Sequence, residues 1–143
     1  MKTGAQKIAE MIGKSGCLML SYIKLVYMLD GTNVDDGQLL ADATTSYDFL
    51  LNKGIIDAEC YVNDPIKLIE SVFPDLNRSL SIEKTYEIPK DAPEYIISYN
   101  GKHFTIAKNT GEIVWDSFGA THIKKTMETP AKSYRILRMT FTR

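Results

Sequence analysis

Two cysteines and two histidines, Cys17, Cys60, His103 and His122, make up the thiol and imidazole inventory of this 143-residue chain. Two thiols are too few for a disulfide scaffold. With no close ligand pair among the four residues, a metal site is not expected either. Nucleophilic chemistry remains. Cys17 directly follows Ser15-Gly16 and opens an apolar run that extends to Leu29. A thiol at a helix start meets unpaired backbone N–H groups and the positive end of the helix dipole, and both stabilise the thiolate. The same N–H groups can hold the oxyanion formed when a thiolate attacks a carbonyl, and glycine at position 16 would let a substrate approach closely. Cys17 can also be read as a small hydrophobe packed at the head of a core helix.

His103 follows the turn Asn100-Gly101-Lys102 and begins a short apolar run, while Asp116 ends the next such run, Ile113-Val114-Trp115-Asp116. Taken alone, His103 fits a surface or structural role. If the two runs pair antiparallel about the turn at Thr110-Gly111, Asp116 comes alongside His103. A carboxylate there would fix the imidazole tautomer and stabilise its protonated form. Cys60 lies beside Asp57 and Glu59, whose charge raises a thiol pKa, and reads as a packed residue. His122, just before Lys124-Lys125, is expected to be exposed or at a cleft mouth, and Trp115 is expected to pack over the site. Asn33, Asp35 and Asp36 lack the spacing of a calcium loop and read as a helix-capping segment.

The elements that must position these residues divide the chain in two. Helices are expected over residues 5–12, stopping at Gly13, and over 16–29, apolar on nearly every face and therefore central. Further helices are expected over 38–51 and from Asp64-Pro65 to residue 73, the latter with aspartate as N-cap and proline at the first position. Beyond residue 78 the texture becomes β-branched and aromatic, with strands expected over 79–87, 94–99, 103–108, 112–116 and 134–142. Asn100-Gly101 marks a hairpin. The fold class is α+β: N-terminal helices packed on a C-terminal antiparallel meander, with residues 1–143 as one domain.

The 44% apolar and 24% charged composition excludes a disordered chain, and no run approaches a membrane span. With no export signal at the start, a cytoplasmic location without a membrane partner is expected. Residues 30–75 carry ten acids and two bases, whereas residues 101–143 carry eight bases and three acids. Those bases are scattered among strands. Lys124-Lys125 and the series Arg135, Arg138, Arg143 therefore read as solvated surface, and no nucleic-acid partner is expected.

Gly16-Cys17 opening an apolar helix, Lys102-His103-Phe104-Thr105-Ile106 on a strand and Ile113-Val114-Trp115-Asp116-Ser117 on the next resemble papain-like cysteine peptidases, most of all the compact bacteriocin-processing type. Gly54-Ile55-Ile56-Asp57-Ala58-Glu59-Cys60-Tyr61-Val62, Asp64-Pro65 and the closing 133–138 segment also resemble a group of phage and prophage proteins. The resemblance implies a papain-like fold and acyl transfer to a thiol: Cys17 as nucleophile, His103 as base, Asp116 as orienter. It implies no cofactor or metal, and a peptide or amide substrate from protein or cell wall. Papain-like enzymes carry an oxyanion-hole glutamine about six residues before the cysteine, where this chain has Met11. Gln6, folded back by the 13–16 loop, Ser15 or the backbone would then supply that donor, whose loss costs about 10²–10³ in rate. Two further readings are a cell-wall peptide amidase and a binding protein on an inactivated peptidase scaffold.

Overall fold

Local chemistry sets the helix ends. In the computed structural model, which describes residues 3–141, α1 (Gly4–Ser15) begins with a capping box. The Gln6 amide donates to Thr3 Oγ1, and the Thr3 amide donates to Gln6 Oε1. α1 runs through Gly13, because one glycine costs a helix interior only about 1 kcal/mol, and stops at Gly16. There the Gly16 amide donates to the Ile12 carbonyl at 2.7 Å, and α2 (Cys17–Leu29) starts at an 87° bend. A Cβ on Gly16 would lie 2.7 Å from the Ile12 carbonyl oxygen. The chain's own bend therefore requires the glycine, rather than the approach of a substrate. α3 (Asp36–Asn52) is capped by Asp35, so the acidic loop is the expected capping segment, and α4 (Pro65–Val72) is capped by Asp64 with Pro65 first.

The strands are β1 (Arg78–Thr85), β2 (Tyr95–Tyr99), β3 (Phe104–Lys108), β4 (Ile113–Trp115) and β5 (Ser133–Phe141). Thr142 and Arg143, placed by sequence at the end of the last strand and in the basic series, lie outside the described residues. All pairings are antiparallel, in the order β1-β5-β2-β3-β4. The expected meander holds only for β2–β4. β5 returns to lie between β1 and β2, pairing from Arg78↔Phe141 to Thr85↔Tyr134 on one side and at Ser98↔Tyr134 on the other. Burial explains the insertion. Ile136 and Leu137, successive residues on opposite faces of β5, are both fully buried, whereas β1 alternates half-buried with exposed residues as an edge strand does.

The architecture is α+β, with N-terminal helices packed on a C-terminal antiparallel sheet. α2 lies at its centre, with Met19, Ile23 and Leu25 fully buried, β2 and β3 on one side and α3 and α4 packed around it. Its all-round apolarity follows from this position. After β4, a 3-10 turn over Ala120–His122 leads into α5 (Ile123–Thr126). No helix among the described residues is by itself long and apolar enough to cross a membrane.

Candidate active site

The bend at Gly16 aims the first turn of α2 at the mouth of β3. Cys17, Leu18 and Met19 precede the first intrahelical bond, Leu20 N–H to the Gly16 carbonyl, so their amides lack helical acceptors. Cys17 is half-buried. Burial pushes its thiol pKa up, but this is outweighed by the hydrogen bond and charge of His103 and by N–H groups of Phe104 and Leu18, which hold it below the ordinary value.

The Asn100-Gly101 turn positions His103, with Gly101 at φ +93°. The Lys102 and His103 amides both donate to Asn100 Oδ1 at 2.9 Å. Asn100 Nδ2 in turn donates to the Thr126 carbonyl at 3.1 Å, tying the turn to α5. His103 is only 6% exposed, and the Phe118 ring stacks on it with centroids 4.4 Å apart. Its Nε2 lies 2.7 Å from Asp116 Oδ1, so Nδ1 is the ring nitrogen that the carboxylate does not engage. Burial lowers the His103 pKa, but Cys17 and Asp116 together raise it above the ordinary imidazole value.

Asp116 is 2% exposed and carries four hydrogen bonds. Oδ1 accepts from His103 Nε2 and from the Phe118 amide at 2.9 Å, and Oδ2 accepts from His122 Nδ1 and Thr126 Oγ1, each at 2.8 Å. Burial alone would raise its pKa. Hydrogen bonds from His122, His103, the Phe118 amide and Thr126 hold it below the usual carboxylate value. Cys17, His103, His122 and Ser15 line a cleft of about 440 Å³. A wider groove of about 570 Å³, lined in part by Phe49 and Pro74, contains no thiol or imidazole.

The family model that matches residues 1–139 is described as "Protein of unknown function, DUF261". The chain belongs to the DUF261 family. No curated protein matches it, and no solved structure does.

In this DUF261 member the sequence-predicted trio is brought together through His103: Cys17 and His103 line the cleft, and the buried Asp116 lies behind His103, bonded to its Nε2. Ser15 lines the cleft. Gln6 does not, because its side chain closes the capping box at the far end of α1, about 14 Å of helix before the bend that precedes Cys17. Trp115 does not cover the site either. Its indole N–H donates to Asp36 Oδ1 at the start of α3, 3.1 Å away, on the opposite side of the strand from Asp116. Cys60 is packed as expected, 2% exposed, with burial and then Asp57 pushing its pKa up to about 11.

Of the two positions expected for His122, the structure shows the cleft mouth; what the sequence reading missed is that this partly buried imidazole holds the second Asp116 oxygen. Thr126, four residues later, reaches the same oxygen. That spacing was the available signal, since residues i and i+4 share one face of a helical segment. His103, Asp116 and His122 offer three ligand atoms within 4.8 Å of one another, a two-imidazole, one-carboxylate set able to hold a divalent ion. The 2.7 and 2.8 Å separations are those of direct hydrogen bonds that carry protons. A metal would need both nitrogens stripped of those protons and turned to a common point.

Proposed function

We propose that this chain is a cysteine-type hydrolase that cleaves a peptide or amide bond with Cys17 as nucleophile, His103 as acid–base and Asp116 as the residue that positions His103. One observation carries this reading. The His103 Nε2–Asp116 bond of 2.7 Å fixes the tautomer that leaves Nδ1 to accept the Cys17 proton at a helix start. The opposed shifts, Cys17 down and His103 up, favour a thiolate–imidazolium pair at neutral pH.

The thiolate attacks the substrate carbonyl carbon and a C–S bond forms. The carbonyl oxygen takes up the negative charge, facing the free amides of the first turn of α2 and the Ser15 side chain. The C–N bond then breaks, and the leaving amine takes the proton from His103 Nδ1. Water next attacks the thioester, giving its proton back to Nδ1, and the C–S bond breaks to release the acid and restore Cys17. Asp116 keeps its charge throughout, held by the His122 and Thr126 donors. His122 is thus a positioning residue, one shell behind the reacting atoms.

The resemblance to papain-like peptidases supports the same chemistry. The absence of Gln6 from the site leaves the oxyanion to backbone amides and Ser15, which favours a slow enzyme. The test is incubation with a peptide library and with purified peptidoglycan, using Cys17→Ala as the control. Hydrolysis lost in Cys17→Ala supports the proposal, and release of wall peptide alone would make it a wall amidase. No Cys17-dependent cleavage of either would sink it.

A further inference from the structure

The cleft over Cys17 is rimmed by cations from three separate elements. Lys14 stands in the last turn of α1, Lys102 in the turn before His103 and Lys125 in α5, all exposed and all lining the cleft. Glu128 is the one acid at the rim. Three cations away from the cleft are ion-paired, Arg78 with Asp30, Lys108 with Glu112, and Arg138 with Glu83 and Asp91, while other lysines, such as Lys53 and Lys84, stand without a carboxylate as the cleft lysines do. Among the described residues, Lys14, Lys102 and Lys125 have no carboxylate within ion-pair distance. Three lysines without an ion-pair partner on the rim of one concave mouth, against one acid, bias the potential there to positive. They are flexible donors that can close on a carboxylate through charge-assisted hydrogen bonds.

We infer, building on the hydrolase reading above, that this cleft selects an acidic acyl donor: a peptide bearing Asp or Glu side chains beside the bond that is cleaved. The bases concentrated in residues 101–143 thereby acquire a use in Lys102 and Lys125, with Lys14 joining them from the helical half. Solvent screens each contact, so each lysine contributes about 1.5- to fivefold in preference, and the three together about three- to a hundredfold.

The test compares two alkylating reagents of similar size, anionic iodoacetate and neutral iodoacetamide. Cys17 modification is followed at about 0.01 M and about 1 M salt, where the screening lengths are roughly 30 and 3 Å. In both cases a C–S bond forms and iodide leaves, so only the reagent's charge differs. The expected result is a rate ratio, iodoacetate over iodoacetamide, that falls as salt rises and falls again in Lys14→Gln, Lys102→Gln and Lys125→Gln, about 1.5- to fivefold each. Using the ratio removes any general effect of a substitution on the thiolate. A ratio indifferent to salt and to all three substitutions overturns the inference while leaving the hydrolase reading intact. Slow modification of Cys17 by both reagents, at the rate of an ordinary thiol, would overturn that reading and the inference with it. In a peptide library, Asp and Glu flanking the cleaved bond should raise kcat/KM over Asn and Gln, and the triple Lys→Gln variant should lose that preference. Preference for the amides or for Lys and Arg refutes the inference.

Discussion

Asp116→Asn keeps the shape of a buried side chain and removes the charge on which His103 depends. The carboxylate accepts from His103 Nε2 at 2.7 Å, the Phe118 amide at 2.9 Å, and His122 Nδ1 and Thr126 Oγ1 at 2.8 Å each. An amide has a single oxygen. If that oxygen stays with Nε2 and the Phe118 amide, the NH2 faces two former donors. A charge-assisted hydrogen bond contributes about 1.5–3 kcal/mol against about 0.5–1.5 for a neutral one, so the imidazolium forgoes about 1–1.5 kcal/mol. That is roughly a tenfold shift in the thiolate–imidazolium equilibrium, and if the amide turns its NH2 toward Nε2–H the loss approaches roughly a hundredfold. The His103 pKa should drop, and with it the support that keeps Cys17 low.

The assay is the iodoacetamide alkylation rate of Cys17, followed peptide by peptide from about pH 4 to about pH 10. On the hydrolase reading, wild type should show a plateau over the pH range in which the thiolate–imidazolium pair persists, a pair that the downward Cys17 shift and the upward His103 shift both favour. The variant should fall about tenfold on that plateau and converge with wild type at the alkaline end, where the thiolate forms unaided. Cys60, pushed up to about 11 by burial and Asp57, is only about 10⁻⁴ ionised at neutral pH and serves as the internal blank. Superimposable profiles for wild type and Asp116→Asn would refute the assignment of Asp116 as the partner of His103.

Acid stability follows from the same carboxylate. The folded Asp116 value is depressed, so its ionised form stabilises the protein above about pH 4 and that contribution is lost as pH falls through the depressed value. Asp116→Asn should therefore flatten the acid limb of a Tm-versus-pH curve, and an unchanged limb would contradict the buried, fully bonded carboxylate. His122→Phe keeps a ring against Phe118 and His103 but removes one donor to Asp116, so plateau alkylation should fall by only about two- to tenfold. A loss as large as that of Asp116→Asn would count against His122 as a supporting residue. Gly16→Ala puts a Cβ 2.7 Å from the Ile12 carbonyl oxygen. Overpacking of this kind costs about 1–3 kcal/mol, to be read as a lower denaturant midpoint. Gln6→Ala should cost about 0.5–1 kcal/mol by opening the capping box while leaving Cys17 alkylation unchanged, whereas slower alkylation would return Gln6 to the site.

The sequence was most legible where structure is local. The Asp35 and Asp64 caps, the Pro65 start, the Asn100-Gly101 hairpin and the all-round apolarity of α2 each act within a few residues of themselves. The Cys17–His103–Asp116 convergence was legible for a similar reason. The pairing of β3 with β4 brings Asp116 to His103 through one short turn, and a helix start announces its free amides.

What the sequence could not settle was decided at long range. Residue order alone suggested a meander, but β5 inserted between β1 and β2 because only its two buried faces suit an inner strand. Gln6 was open to a catalytic role until α1 proved continuous through Gly13, committing its amide to a cap about 14 Å of helix before the bend at Gly16. His122 gave no sign beyond an i, i+4 threonine. The bond from Asn100 to the Thr126 carbonyl joins the His103 turn to α5, and both imidazoles come to one buried carboxylate. From sequence alone came the grouping of Cys17, His103 and Asp116. Tertiary structure decided which groups hold that carboxylate charged, because a buried carboxylate keeps its charge only where donors from separate segments converge on it, and no spacing along the chain encodes that convergence.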